Sequence, residues 1–337
     1  MSVIANIDCG YLATVQAMMD ERWIDPIQNA DLIADAESAK AILANQQVNL
    51  GELTVKDKKR VVSLEWLTAC DLHVDTCSDD CTITGTDATP ECKEYEIVCM
   101  GEVPFKVYDR VYRERTIDKQ KSIAYNMAIA MKLLDEAAAQ YAITGLVANA
   151  GTNLYTGGVG TVAAAVTTIG AANWNDNIWG YFARVARGNK FNSPYAITGD
   201  NLFQLIYNRN AEFANADGKG NVNKMGDLRN RIYLDPENVE TISPSSTFLI
   251  HKTAVALVTK SWYPLGAANA EQLTADRMAY SIPSYNLPGV TYDVFTERGC
   301  YGNDYYTAFK VQAHGLFAVN PLPCTETHTG ILRFACA

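Results

Sequence analysis

Residues 103–143 read VPFKVYDRVYRERTIDKQKSIAYNMAIAMKLLDEAAAQYAI, and within them a period of two gives way to a period near 3.6. Val103, Phe105 and Val107 alternate with Lys106 and Tyr108, the mark of a strand with two unlike faces. From about Ile117 to Tyr141 the residues Gln120, Ala124, Met127, Met131, Leu134, Ala138 and Tyr141 recur at steps of three and four. This predicts a helix of about 40 Å at about 1.5 Å per residue, long enough to serve as a spine. Between strand and helix, Arg110, Arg113, Arg115, Lys119 and Lys121 form a basic cluster in an acidic chain. Two uses follow from its charge: contact with phosphates, or pairing with an acidic surface of a neighbouring subunit, which is the more economical.

Upstream, Val62, Leu64 and Trp66 alternate with Ser63 and Glu65 from Arg60 onward. The stretch SDDCTITGTDATPEC that follows is rich in turn formers, so residues 60–108 predict one extended β-hairpin. Facing residues of an antiparallel pair have numbers of constant sum, and Cys70 with Cys99 and Cys77 with Cys92 share the sum 169. That register sets Val62 against Val107, Leu64 against Phe105 and Trp66 against Val103, apolar against apolar. Disulfides Cys70–Cys99 and Cys77–Cys92 are then geometrically open, with Cys81 left at the tip. Free thiols remain an alternative. A zinc site using these cysteines and His73 has poor spacing, since only Cys77 and Cys81 approach a C-x2-4-C pair.

Residues 1–50 carry Asp8, Asp20, Glu21, Asp25, Asp31, Asp35 and Glu37 against Arg22 and Lys40. Tyr11, Leu12, Val15, Met18 and Met19 suit one short helix; Asn29 or Asp31 caps a second through Leu32, Ile33, Ala36 and Ile42. Such an acidic arm lies on its own chain or on a neighbour. Downstream, Gly145, Gly151 and the run TGGVG are expected to end the spine. Helices are expected over 175–187 and 252–260 and from Asp200 to Phe213; strands over 231–235, 247–250, 290–295, 305–319 and 330–335.

The 337 residues, 48% hydrophobic and 20% charged, describe a folded chain with a sizeable core. A net charge of −10 excludes a surface that clamps nucleic acid throughout. No stretch reaches the roughly 20 apolar residues of a membrane-spanning helix, and the start lacks the features of a secretory signal, so the chain is expected in the cytosol when made. The G-x-G-x-x-A in GGVGTVAAA, with Asp176 downstream, lacks the strand that a dinucleotide fingerprint needs before it. Neither His73, His251, His314 nor His328 sits in a nucleophile–base setting, and His314 reads as a structural or surface imidazole. Asp79–Asp80 and Asp135–Glu136 are adjacent and diverge, hence solvated faces. NADGKGNVN has Lys219 where a calcium loop needs a ligand. No catalytic residue, metal site or cofactor is assigned.

The order of arm, hairpin, spine, mixed lobe and final strands resembles the major capsid proteins of tailed bacteriophages, the Hong Kong 97-type fold. The resemblance rests on the spine stretch quoted above, on NSPYAITGDNLFQLIYN, TFLIHKTAVALVTKSWYP and HGLFAVNP, and on TGILRFAC. It implies an α+β fold: N-terminal arm 1–55, extended β-hairpin loop 56–112, peripheral-domain spine helix 113–155, axial domain 156–300 and closing peripheral strands 301–337. It further implies a non-enzymatic subunit of an icosahedral head, assembled in the host cytoplasm into pentamers and hexamers and resident in the virion. Such a shell encloses double-stranded DNA without sequence-specific binding and works with separate scaffold, portal or decoration proteins. An encapsulin-like cargo compartment shares this fold and is the nearest alternative; a secreted cysteine-rich adhesin or hydrolase is the rival from another class.

Overall fold

The computed structural model describes residues 34–46, 60–66, 91–112, 119–175, 177–202, 205, 231–302, 304–319 and 329–336. They form a mixed α+β fold of two six-stranded sheets, a separate two-stranded hairpin and helices. The order is α1 (Glu37–Asn45), β1 (Val61–Trp66), β2 (Glu91–Glu96), β3 (Val98–Tyr108), α2 (Lys119–Ala148), β4 (Gly160–Ala163), β5 (Val166–Ile169) and α3 (Ile178–Gly188). It continues with β6 (Tyr195–Thr198), β7 (Ile232–Leu234), α4 (Pro236–Ile242), β8 (Ser246–Ile250), β9 (Val255–Thr259), β10 (Glu271–Thr274), β11 (Arg277–Pro283), β12 (Thr291–Tyr301), β13 (Asp304–Val319) and β14 (Ile331–Cys336).

The first sheet runs β10-β11-β12-β13-β3, with β9 also on β13, and is antiparallel throughout. The spine α2 packs on it with the predicted face inward: Ala124, Met127, Met131, Leu134 and Ala138 are buried, whereas Gln120 is exposed. Backbone and helix approach closely at Gly101, where an added Cβ would stand 3.3 Å from both Ala137 and Leu134. The spine is longer than expected. It runs through Gly145 to Ala148 with Ile143 and Leu146 fully buried, because the missing side chain at Gly145 makes room for the ring of Phe317. Here glycine serves packing, and the burial it permits offsets its weak helix propensity.

The second sheet, β4-β5-β14-β8-β6-β7, is mixed, with β14 parallel to β5 and β6 parallel to β7. Helix α3 lays Phe182 and Val185 on Leu249, Leu332 and Phe334, with the Phe182 and Phe334 rings 4.9 Å apart. Tyr195, Ile197, Phe248, Ile250 and Ile331 of this sheet share a core with Met127, Met131 and Leu134 of the spine. Helix α1 is tied to its own chain: the Ser38 N–H and hydroxyl donate to Asp235, and Gln46 Oε1 accepts from the Leu257 N–H at 2.8 Å. Residues 34–46 of the expected arm thus lie on their own fold.

Four expectations are corrected. Residues 255–259, expected within a helix, form strand β9, since Val255 and Leu257 face one core and Ala256 and Val258 another. Burial on both faces erases the alternation that marks a strand, and a short apolar run is then ambiguous. The strands of 60–108 do not form a single hairpin. β1 pairs with β2 at a sum of 157, as in Val62 with Tyr95, while β3 pairs with β13, Val103 facing Val311 and Phe105 facing Phe309. The residue-300 boundary falls inside β12, and the last strand, β14, joins the second sheet while β13 lies in the first. The GGVG run enters the β4–β5 hairpin, turned at Ala164 with φ 51°, so no helix N-terminus follows it. The expected helix from Asp200 to Phe213 lies largely outside the described residues.

Candidate assembly surface

Among the described residues no group of three or more His, Cys, Asp or Glu is placed to hold a metal ion, and no helix is long and apolar enough to cross a membrane. His251 meets the Phe191 ring edge-on, and His314 lies edge-on to Trp262 with Nδ1 3.5 Å from Asp293 Oδ2. The Asp293 carboxylate is buried and accepts from the Trp262 N–H at 3.0 Å through both oxygens. This group fastens the loop after β9 to β12, the structural role expected of His314. His73 and His328 lie outside the described residues.

Asp135 departs from the solvated face expected of it. It projects from the spine into the core, fully buried. Its Oδ1 accepts from Ser284 Oγ at 2.7 Å and Tyr292 OH at 2.5 Å, and its Oδ2 accepts from Asn286 Nδ2 at 2.9 Å. Ser284 Oγ in turn accepts from the Asn286 and Leu287 N–H groups, closing a turn between β11 and β12. One carboxyl therefore pins a β-connection to the spine. Burial raises its pKa above the ordinary aspartate range, against the opposing effect of these hydrogen bonds and the charge of Lys40. The signal available in sequence was position: 135 follows the core residue Leu134 on a helix whose apolar face is wide.

The cysteine pairing loses the register that supported it. Across β1–β2, Cys92 faces Glu65; Cys99 faces His314 on β13 and is a free, exposed thiol. Cys70 and Cys77 lie outside the described residues. The agreement of two cysteine sums at 169 was numerical, while β3 took a partner 200 residues away.

The basic cluster is divided. Lys119, first residue of the spine, pairs with Asp109 and donates to Thr307 Oγ1 at 3.0 Å. Arg110 is exposed, and its N–H donates to Asp304 Oδ1 at 3.1 Å, joining the turn at 109–112 to the β12–β13 tip. Lys121 is half-buried, and Arg113 and Arg115 lie outside the described residues. Beside Arg110 the same tip leaves Val111, Tyr301 and Tyr305 exposed, Tyr301 by 80%. Large apolar groups beside a cation at one end of a sheet are suited to meeting another surface.

A second exposed feature lies on the first sheet. Side chains alternate between faces along a strand, and cross-strand partners share a face. Gly101 and Phe105 belong to the spine side; Lys106 and, through the register, Ala308, Glu297 and Arg277 belong to the outer side. A groove of about 780 Å³ crosses this outer side, including Leu273, Phe295 and Lys310. Lys310 stands 5.1 Å from the Phe295 ring centroid and Lys106 4.8 Å from that of Tyr306. Sequence reasoning missed this face because its members come from five strands, although the alternation through Lys106 and Lys310 marks it.

No protein-family model matches the chain, and no curated protein does. Among solved structures it is similar to the capsid asymmetric unit of Cyanophage A-1(L), at 14% identity over 88% of this chain and 96% of that one, with a TM-score of 0.47. It is also similar to the mature capsid of bacteriophage PhiM1, at 8% identity over 84% and 83%, TM-score 0.47. A third is the capsid of Ralstonia phage GP4, at 12% identity over 86% and 89%, TM-score 0.46.

Proposed function

We propose that this chain is the major capsid protein of a tailed double-stranded DNA bacteriophage, a structural subunit that closes into pentamers and hexamers of an icosahedral head. The observation that carries the reading is the order of parts. A hairpin apart from both sheets precedes a 30-residue spine laid across a long antiparallel sheet, and the chain then builds a second sheet before returning through β13. In this reading β1–β2 belong to the extended loop, α2 with the first sheet forms the peripheral domain, and the second sheet with α3 the axial domain. Cargo DNA is enclosed without sequence readout. A net charge of −10 suits a wall that must not grip what it packages. Scaffold and portal proteins are separate partners, and the virion is the final location.

Assembly is expected to depend on the positive end of the spine. Exposed charges lose their attraction beyond about 10 Å at 0.1 M salt, so raising salt should weaken association. Replacing Arg113 and Arg115 together with Glu should raise the concentration at which sedimentation velocity detects large particles by about tenfold. A chain that assembles equally well at high salt and with both reversals would remove these arginines from the contacts.

A further inference from the structure

We propose that the groove on the outer face of the first sheet is a docking site for residues 11–21 of a second copy of this chain. The proposal rests on the shell reading above and locates a contact that it requires. Residues 11–21 read YLATVQAMMDE and lie outside the described residues. Tyr11, Leu12, Val15, Met18 and Met19 fall at i, i+1, i+4, i+7 and i+8, one face of a helix, the spacing by which an amphipathic segment enters an apolar groove. Asp20 and Glu21 close that segment. At a helix C-terminus they oppose the helix dipole, so they gain from cations supplied by another surface.

The groove has the matching chemistry. Leu273, Phe295 and Ala308 give it apolar ground, and Lys106, Arg277 and Lys310 bring positive charge to it. Arg277 is held by Glu297, with Nη2 2.8 Å from the carboxylate. Lys310 reaches Glu102 only at 3.9 Å with both side chains well exposed, a contact weak enough to exchange. The volume is within the range of sites that enclose a few side chains. Placement favours a neighbour as donor. Helix α1, which follows the segment, packs on the spine and on Asp235, whereas the groove faces away from the spine across the sheet. A second copy set against the outer face delivers residues 11–21 without wrapping them around a sheet edge.

The test uses the full chain with p-benzoylphenylalanine at position 273, an exposed site, prepared in natural and nitrogen-15-labelled forms and mixed before assembly. After irradiation, mass spectrometry should find cross-links from position 273 to residues 11–21, about half of them joining unlike isotopes. The pair Lys106→Glu and Lys310→Glu should lower that yield at least fivefold, and the gentler Lys106→Gln with Lys310→Gln should lower it less. Cross-links only within one chain, to any other segment, or unaffected by both variants would overturn the docking. Electron microscopy of the same samples separates the two claims. Particles without the 11–21 link refute the groove and leave the shell reading standing, whereas the absence of particles refutes both.

Discussion

Replacing Asp135 with alanine should cost the folded chain about 3 kcal/mol or more, while Asp135→Asn should cost little at neutral pH. Alanine leaves the donors of Ser284, Asn286 and Tyr292 facing a cavity between the spine and the β11–β12 connection. Each buried donor without an acceptor costs about 1–3 kcal/mol. Asparagine keeps one oxygen for Ser284 and Tyr292, and its amide can face Asn286 once that side chain turns its own carbonyl inward. Urea unfolding of the three proteins measures the difference.

The two substitutions also separate by pH. Burial raises the Asp135 pKa in the folded state. The folded protein therefore holds a proton that the unfolded chain releases near pH 3.9. The contribution of this group is fully present below that pH and is lost as pH rises through the folded value. Groups facing it include Tyr292 from β12 and Lys40 from α1, and Glu136 beside it on the spine lies near Lys132, Asp35 and Glu237. Asp135→Asn removes the titration, so its stability relative to the parent should improve as pH rises across that window. A constant difference between the two proteins would show that the carboxyl does not titrate there.

The second large effect is expected at Gly145. Alanine is the better helix former by about 1 kcal/mol, yet its Cβ would overlap the ring of Phe317. Overpacking a close contact costs about 1–3 kcal/mol or more, so the substitution should destabilise despite the improved propensity. Gly145→Ala combined with Phe317→Leu should lose less than the sum of the two single changes, because the shorter side chain vacates the space. Strict additivity would place the cost of Gly145→Ala elsewhere than at Phe317.

These two sites illustrate which parts of the molecule were readable from sequence. The spine face from Ala124 to Ala138 followed from local spacing, and β13 followed from alternation along 16 residues. Both signals are local and periodic. Partner choice is neither: β3 prefers β13, where the Phe105 and Phe309 rings stack at 4.9 Å, over β1, and nothing near residue 105 reports on residue 309. β9 was misread because a strand buried on both faces has no polar side to reveal its period. At the candidate surface, Arg110 and Lys119 were legible as charges, but not the pairing of Lys119 with Asp109, which depends on a turn between strand and spine. The outer groove gathers residues from five strands and becomes visible only when the register is known.

The central claim is that the chain exists to assemble with copies of itself, and electron microscopy of the purified full-length protein over a range of concentrations tests it most directly. Curved sheets, rings of five or six subunits, or closed shells are the predicted result. Dispersed single molecules at every concentration and salt condition would contradict it.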